Sequence, residues 1–300
     1  MRHLVAALTV AFLPLQALTQ QSMTRGEASL TAEAIMARVA ANQDSSEAER
    51  SHYIYVQHAH VVSRKGKTVM CEETTDSRVT PSVSGSEQKL LTLNGRLLRK
   101  HQYITYTTLP AKNNDATEPK SEKEDFGGEF DRELVESMRK DLTDSKSKDG
   151  LGKGLFPLTS EIQQHYQFRL LGREQKNGRD VYHLDFRPKD KGDYGWKGDA
   201  YIDAVAYQPV LVRTGMSRKI PFAVRTLLGT SLPGLGFAVV YAPQRDGVWF
   251  PVNFGTEFKL HVLFFLNREI VINAENRDFV KTHVSSRILG GAGTSEDIPQ

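Results

Sequence analysis

An alternation of apolar and polar side chains runs through most of this 300-residue chain. This pattern is typical of strands that turn one face to a core and the other to water. It first extends from Tyr53 to Tyr106, where Asn94-Gly95 is the strongest two-residue signal for a hairpin turn. It resumes at Tyr166 and continues to Ala274. Because strand segments follow one another without helices between them, the pattern predicts an antiparallel sheet.

Helical spacing is confined to a few stretches. Thr31 is a suitable N-cap, and Ile35, Met36 and Val39 form an apolar stripe behind it. Counting turns gives roughly ten or eleven strands and two or three helices. The expected fold is therefore α+β, a single antiparallel sheet of about 10–11 strands with the helices packed on it.

The first residues have the three parts of an export signal. Arg2 and His3 give a basic start, an apolar run covers Leu4 to Leu15, and small residues follow near Ala17 and Thr19. The run is shorter than the roughly 20 apolar residues of a membrane-spanning helix. We therefore expect residues 1–19 to be a cleaved signal peptide and the mature protein to be periplasmic. An uncleaved anchor or a buried N-terminal helix is the alternative.

A charged segment separates the two strand-rich parts. About half of the residues between 110 and 154 are charged, too many to bury the apolar surface that folding requires. We expect a partly disordered insertion there. Its middle is different, because Phe130, Leu134, Val135 and Met138 have helical spacing. That spacing predicts a helix over Glu129 to Leu142 with one face on the body of the protein.

The usual signatures of catalysis are absent from the sequence. There is no phosphate-binding loop, no H-E-x-x-H and no G-x-S-x-G motif. The single cysteine, Cys71, excludes an intrachain disulfide and the cysteine-rich zinc sites. Lys and Arg total 39 against 36 Asp and Glu, a balance that does not indicate a nucleic-acid partner. We expect no catalytic residue, no cofactor and no resident metal.

Two weaker patterns are compatible with an enzyme. His58 and His60, two apart on a predicted strand, share a face and could bind one metal ion if another ligand converged on them. The alternative is two imidazoles on an ordinary strand face. Asp185, Asp199 and Asp203 lie on neighbouring predicted strands, where two of them could form an acid–base pair.

An apolar surplus late in the chain carries more information. The segment from Leu227 to Tyr241 is interrupted by Gly and Pro, so it does not have the form of a membrane helix. Its side chains need to be covered by protein or by a bound apolar partner. A sheet that is only partly covered by its helices leaves a pocket for an apolar ligand, and a closed core is the alternative.

Several segments, taken in their order, resemble one known family. They are the helix 32–39, the strand start Tyr53-Ile54-Tyr55, the hairpin 178–186, Tyr201-Ile202-Asp203 followed by Gln208-Pro209-Val210, Asp246 to Pro251, and Arg277-Asp278-Phe279 before Val284-Ser285-Ser286. Together they resemble the LolA/LolB-like superfamily, of the bacterial outer membrane lipoprotein-sorting protein type. None of them is a catalytic signature.

The resemblance implies a strongly curved antiparallel sheet, an open or half β-barrel, with helices on its concave face around an apolar cavity. It implies a non-enzymatic carrier or binding protein for lipids or acylated ligands. Residues 20–300 would form a single domain that contains the insertion at about 110–154. We place the candidate ligand contacts on the apolar strand faces, with plain core packing as the alternative for each: Ile202, Val210, Val212, Phe258, Leu260, Val262 and Phe264.

A second hypothesis uses the same fold differently. The domain would be an envelope sensor or interaction module that docks a membrane or envelope protein. The charged insertion would then be the contact surface.

Overall fold

The computed structural model describes residues 30–82, 84–108, 126–151, 156–190, 195–217, 230–231, 234–262 and 266–282. One compact unit is Thr31–Gln300, and the other is Met1–Leu30, of which only Leu30 is described. The predicted signal peptide therefore lies outside the described residues. Within these ranges, no helix combines the length and the apolar character needed to cross a membrane.

Three helices and twelve strands are formed by the described residues. The helices are α1 (Ala32–Arg50), α2 (Phe126–Lys140) and α3 (Ser160–Gln163). The strands are β1 (Tyr53–Lys65), β2 (Thr68–Ser82), β3 (Gly85–Arg99), β4 (Gln102–Tyr106), β5 (Tyr166–Lys176), β6 (Arg179–Pro188), β7 (Trp196–Asp203), β8 (Pro209–Met216), β9 (Thr230–Ser231), β10 (Ala238–Pro243), β11 (Trp249–Val262) and β12 (Leu266–Lys281).

All the strands belong to one antiparallel sheet, as predicted. Its order is β4-β3-β2-β1-β12-β11-β10-β8-β7-β6-β5, and β9 pairs with β11 beside this path. The long pairing of β1 with β12 joins the two ends of the described chain in the middle of the sheet. Strands β4 and β5 are at opposite edges and are not paired with each other, so the curved sheet is open rather than a closed barrel.

The hairpin predicted at Asn94-Gly95 is wrong. Both residues lie inside β3, where they pair with Thr74 and Glu73 of β2. A Cβ on Gly95 would lie 2.2 Å from Cζ of Tyr106, so the glycine is required by the aromatic ring that packs on the strand. Asn-Gly thus marks a close approach here and not a turn.

The actual turn follows β3. Lys100 and His101 both adopt positive φ, at 45° and 68°, and connect β3 to β4. A two-residue hairpin of this kind needs two residues in the left-handed conformation. Asn and Gly adopt that conformation most readily, but other residues also adopt it. A turn of the same kind forms at Asn177-Gly178, with φ of 50° and 73° between β5 and β6.

Helix α1 begins as predicted. The Thr31 hydroxyl accepts a hydrogen bond from the Ala34 N–H at 3.2 Å and caps the helix. Behind the cap, Ile35, Met36 and Val39 are fully buried. The helix contacts β5, β11 and α3, so it covers the half of the sheet that ends in β5.

Helix α2 covers the other half. It lies against β1, β2 and β3 and includes most of the segment predicted to be helical inside the charged insertion. Val135 is completely buried in a cluster with Cys71, Leu97 and Ile270. Residues 109–125 and 152–155, which complete that insertion, lie outside the described residues.

Candidate functional site

A cavity of about 360 Å³ lies between the middle of the sheet and the cover formed by α2 and the residues that follow it. Strands β1, β10, β11 and β12 supply one wall. The cover supplies the other wall through Met138, Asp141, Leu142, Leu151 and Phe156. The lining from the sheet and the segment before β10 consists of Gln57, Leu235, Phe237, Val239, Tyr241, Pro251, Asn253, Phe254, Thr256, Phe258, Ile272, Ala274 and Asn276.

The apolar wall follows directly from the strand pattern. Phe254 pairs with Ala274, Thr256 with Ile272, and each of these side chains lines the same cavity. Residues two apart along a strand share a face, so β11 and β12 together present one continuous apolar surface. Phe237 continues this surface and packs edge-on against Trp196, with ring centroids 4.8 Å apart.

Two of the polar lining residues are amides that face each other across neighbouring strands. Gln57 of β1 and Asn276 of β12 are direct cross-strand partners and both line the cavity. Asn276 Nδ2 donates to the Pro251 carbonyl at 3.1 Å, while its Oδ1 is buried without a hydrogen-bond partner. Gln57 Oε1 accepts from Gln88 Nε2 at 3.3 Å and from Thr143 Oγ1 at 3.4 Å.

Helix α2 is fixed over the cavity by two buried ion pairs. Arg268 of β12 makes a bidentate contact with Asp131, both nitrogen–oxygen distances being 2.7 Å, and Ser63 also donates to that carboxylate. About two helical turns further on, Arg139 Nε donates to Glu73 of β2 at 3.1 Å. All four charged side chains are nearly completely buried. Paired charges of this kind require one particular geometry, and so they fix the position of the helix.

A third buried ion pair holds the loop after α2. Asp149 accepts from Arg50 Nε at 2.8 Å, which ties the loop to the last residue of α1. The loop is also attached to the start of β3, because Ser86 donates to the Ser147 carbonyl at 2.6 Å. Both ends of the cover are therefore anchored to other elements.

Burial keeps the hydroxyl groups around the cavity neutral. It raises the pKa of Tyr241, which lines the cavity, and that of Tyr55, whose hydroxyl is buried without a hydrogen-bond partner. Burial also raises the pKa of the Cys71 thiol to about 12, so the thiol stays protonated and is a poor nucleophile.

The predicted contact residues differ in their position relative to the cavity. Phe258 lines it. Ile202, Val210, Val212 and Leu260 are buried in the core and are not among its lining residues. Val262 closes β11, but only its backbone is described, and Phe264 lies outside the described residues.

Several residues that line the cavity were not among the predicted ligand contacts. Phe254 and Thr256 share the predicted strand face of Phe258, and Phe237, Val239 and Tyr241 belong to the apolar surplus that needed a cover. Their strand spacing was the available signal. The spacing does not indicate which part of a long strand lies under a helix and which part faces an empty volume.

The histidine pair and the aspartates have other partners. His58 Nδ1 lies 2.9 Å from Asp76 Oδ1, and His60 Nε2 lies 3.9 Å from Glu72. Among the residues that the structure describes, no three metal-ligating side chains come together. Asp185 and Asp199 do pair across β6 and β7, but Asp199 contacts His183 at 2.9 Å.

No family model matches the chain, and no curated protein matches it. Solved structures do show a likeness. A DUF1329 family protein from Desulfovibrio piger aligns at TM-score 0.36 and 12% identity, over 85% of this chain and 94% of that one. The putative outer membrane lipoprotein-sorting protein domain from Vibrio parahaemolyticus aligns at TM-score 0.35 and 13% identity, over 82% and 92%. The LolA superfamily protein NE2245 from Nitrosomonas europaea aligns at TM-score 0.31 and 10% identity, over 84% of this chain and 94% of that one.

The names of the second and third structures are of the type that the sequence resembles. At TM-scores below 0.5 the likeness carries no residue role, ligand or partner to this chain.

Proposed function

We propose that this protein is an exported, non-enzymatic carrier or binding protein that holds the acyl chain of a lipid or of an acylated protein. The observation that carries the proposal is the cavity of about 360 Å³ between the open sheet and its helical cover. Apolar side chains make most of its wall, and the polar side chains are few. That combination is typical of sites for apolar small molecules.

The size of the cavity suits one chain rather than several. Small-molecule sites have volumes of about 300–1,000 Å³, and this cavity is near the lower limit. Each methylene group removed from water contributes about 0.8 kcal/mol, so roughly ten buried methylenes give about 8 kcal/mol before the entropy of association is subtracted. Binding of this kind needs no covalent step.

The proposed location rests on the sequence. Residues 1–19 have the basic start, the apolar run and the small residues of a cleaved signal. A carrier that shields an acyl chain from water has a use in the aqueous compartment between two membranes. The periplasm is therefore the compartment we propose.

Native mass spectrometry of the full chain, expressed with its leader and purified from a bacterial periplasmic fraction, tests the proposal. We expect a bound species that organic extraction releases as lipid, at close to one per chain. An apo mass, together with no binding of an added fluorescent acyl probe, would contradict the proposal.

Two matched substitutions connect the binding to this cavity. Ala274→Phe places a ring inside the cavity, whereas Ala238→Phe makes the same change on the opposite face of the sheet. We expect the first to reduce co-purified lipid severalfold and the second to leave it unchanged. Thermal unfolding of both variants checks that each remains folded, since overpacking costs about 1–3 kcal/mol. Equal lipid content in the two variants would place the lipid elsewhere.

A further inference from the structure

The cavity has an unusual balance of charge for a lipid site. Among its described lining residues there is no Lys, Arg or His, and Asp141 is the one side chain that carries a charge at neutral pH. Asp141 is exposed and lies directly after α2, so it stands where the cavity meets solvent. An anionic head group at this end would therefore meet a like charge, and it would find no counter-ion among the described lining residues.

The buried cations that hold the cover are already paired. Arg50 binds Asp149, Arg139 binds Glu73 and Arg268 binds Asp131, and each of these contacts is buried. Removing one of these cations from its carboxylate would leave that carboxylate buried and unpaired, at a cost of several kcal/mol. They are not free to receive the carboxylate of a fatty acid or a phosphate group.

A hydrogen-bond donor is nevertheless available within the lining. Gln57 is 4% exposed, and its Oε1 is fixed by the donors Gln88 and Thr143. Gln57 Nε2 is therefore directed away from Gln88 and Thr143. It makes no hydrogen bond with any described residue. This amide N–H can donate to the carbonyl oxygen of an ester or amide, and so it can replace the water that such a group loses on binding.

We infer that the cavity selects uncharged acyl ligands, whose carbonyl is an ester or an amide, over free fatty acids. Gln57 Nε2 donates to the ligand carbonyl, and Asp141 disfavours a carboxylate at the mouth. The inference rests on the proposed function, and it adds which acyl compounds the site accepts. Ester and amide share the uncharged carbonyl that the site recognises, and the experiment separates them.

Competition with a neutral fluorescent probe tests the selectivity. N-phenyl-1-naphthylamine, which has no carbonyl, is bound to the full chain at pH 8 and displaced by laurate, methyl laurate or lauramide. We expect the ester, the amide or both to compete at least about tenfold better than laurate, a difference of about 1.4 kcal/mol. Competition by the amide alone or by the ester alone identifies the carbonyl.

Charge-matched variants assign the effect to Asp141. Asp141→Asn should improve laurate competition about threefold or more and leave methyl laurate unchanged. Glu133→Gln removes the same charge from an exposed position of α2 that does not line the cavity, and it should change neither ligand. An equal response of the two variants would assign the effect to net charge and contradict a role for Asp141.

Gln57→Glu keeps the oxygen that Gln88 and Thr143 need but replaces the free donor by an acceptor. We expect it to weaken the competing ester or amide about tenfold more than it weakens the carbonyl-free probe. Gln57→Met, which removes the donor without adding charge, should behave in the same way. Unaltered competition in both variants, or laurate competing as well as the ester and amide in the wild type, would overturn the inference. Absence of binding by the probe and by all three ligands would instead refute the proposed function.

Discussion

The two long helices cover the same sheet by different chemistry. Along α1, the side chains most deeply buried are Ile35, Met36 and Val39, which are apolar. Along α2, the buried stripe is Asp131, Val135 and Arg139, spaced four residues apart, so two charged residues flank one valine. The apolar helix lies over the closed part of the core, and the ion-paired helix lies beside the cavity.

The difference teaches how an incompletely filled core can keep its cover in place. Apolar packing gains free energy with every contact but tolerates small displacements. A buried ion pair contributes little net stability, because desolvation offsets much of the attraction, yet it is strongly unfavourable when broken. Helix α2 can therefore be held at a fixed distance from the sheet without filling the space beneath it.

The largest expected effect is in the ion-paired half. Arg268→Met leaves the buried Asp131 with the Ser63 hydroxyl as its one hydrogen-bonding side chain among the described residues. We expect the free energy of unfolding to fall by about 3–5 kcal/mol, measured by urea denaturation. The double variant Asp131→Leu with Arg268→Met removes both charges and should recover most of the loss. A single-variant loss below about 1 kcal/mol would show that α2 is held by something else.

The apolar half should respond by a different mechanism. Ile35→Ala in α1 opens a cavity in a packed core and should lower the free energy of unfolding by about 2–4 kcal/mol. Because no charge is involved, the loss should be the same at low and high salt. Binding of the fluorescent probe should be unchanged, since Ile35 does not line the cavity. Loss of probe binding at unchanged fold would mean that the two halves are coupled.

The same contrast explains what the sequence could and could not predict. Alternation at a period of two predicted the antiparallel sheet, and helical spacing predicted both long helices. For α2 the stripe was read from Phe130, Leu134, Val135 and Met138, one step away from the buried line through Asp131 and Arg139. Hydrophobic spacing cannot indicate a buried charged residue, because the oppositely charged partner is distant in the chain. Arg268 is the partner of Asp131 and Glu73 is the partner of Arg139, and each pair is more than 60 residues apart.

The site was predicted less well for a related reason. Strand spacing identifies the face that avoids water, and Phe258 was correctly assigned to such a face. Whether that face meets another side chain or an empty volume depends on where α2 lies against the sheet, and the ion pairs fix that position. Ile202 and Val212 have the same sequence signature as Phe258 but lie in the closed core.

A smaller effect is expected at a carboxylate on the side of α1. Burial raises the pKa of Asp203, but the N–H groups of Ala206 and Val205 and the guanidinium of Arg179 outweigh it, so the pKa is lowered overall. Asp203→Asn should cost about 1–2 kcal/mol at pH 7. Because the pKa is lower in the folded state, this contribution is present above the unfolded pKa of about 3.9 and is lost as pH falls through the folded value.

Urea denaturation of both proteins from pH 7 downwards measures this dependence. The difference between wild type and Asp203→Asn should be constant down to about pH 5 and should shrink below about pH 4. Asp180→Asn, at an exposed carboxylate paired with Arg173, is the matched control and should show a difference below about 1 kcal/mol at every pH. A pH-independent difference for Asp203→Asn would show that its hydrogen bonds do not depend on its charge.

The smallest effect separates burial from charge within α2 itself. Lys140 follows Arg139 in the chain, but it is exposed and pairs with Glu136 one turn earlier. Burial raises the pKa of Glu136, but the hydrogen bond and charge of Lys140, together with the charges of Arg139 and Arg132, outweigh it, so the pKa is lowered overall. Lys140→Met should lower the free energy of unfolding by only about 0.3–0.5 kcal/mol, and the effect should disappear in high salt. Arg139→Met, one residue away, should cost several times more at any salt concentration, because it leaves Glu73 without its cation. Equal losses in the two variants would mean that burial of the ion pair does not distinguish this helix from an ordinary charged surface helix.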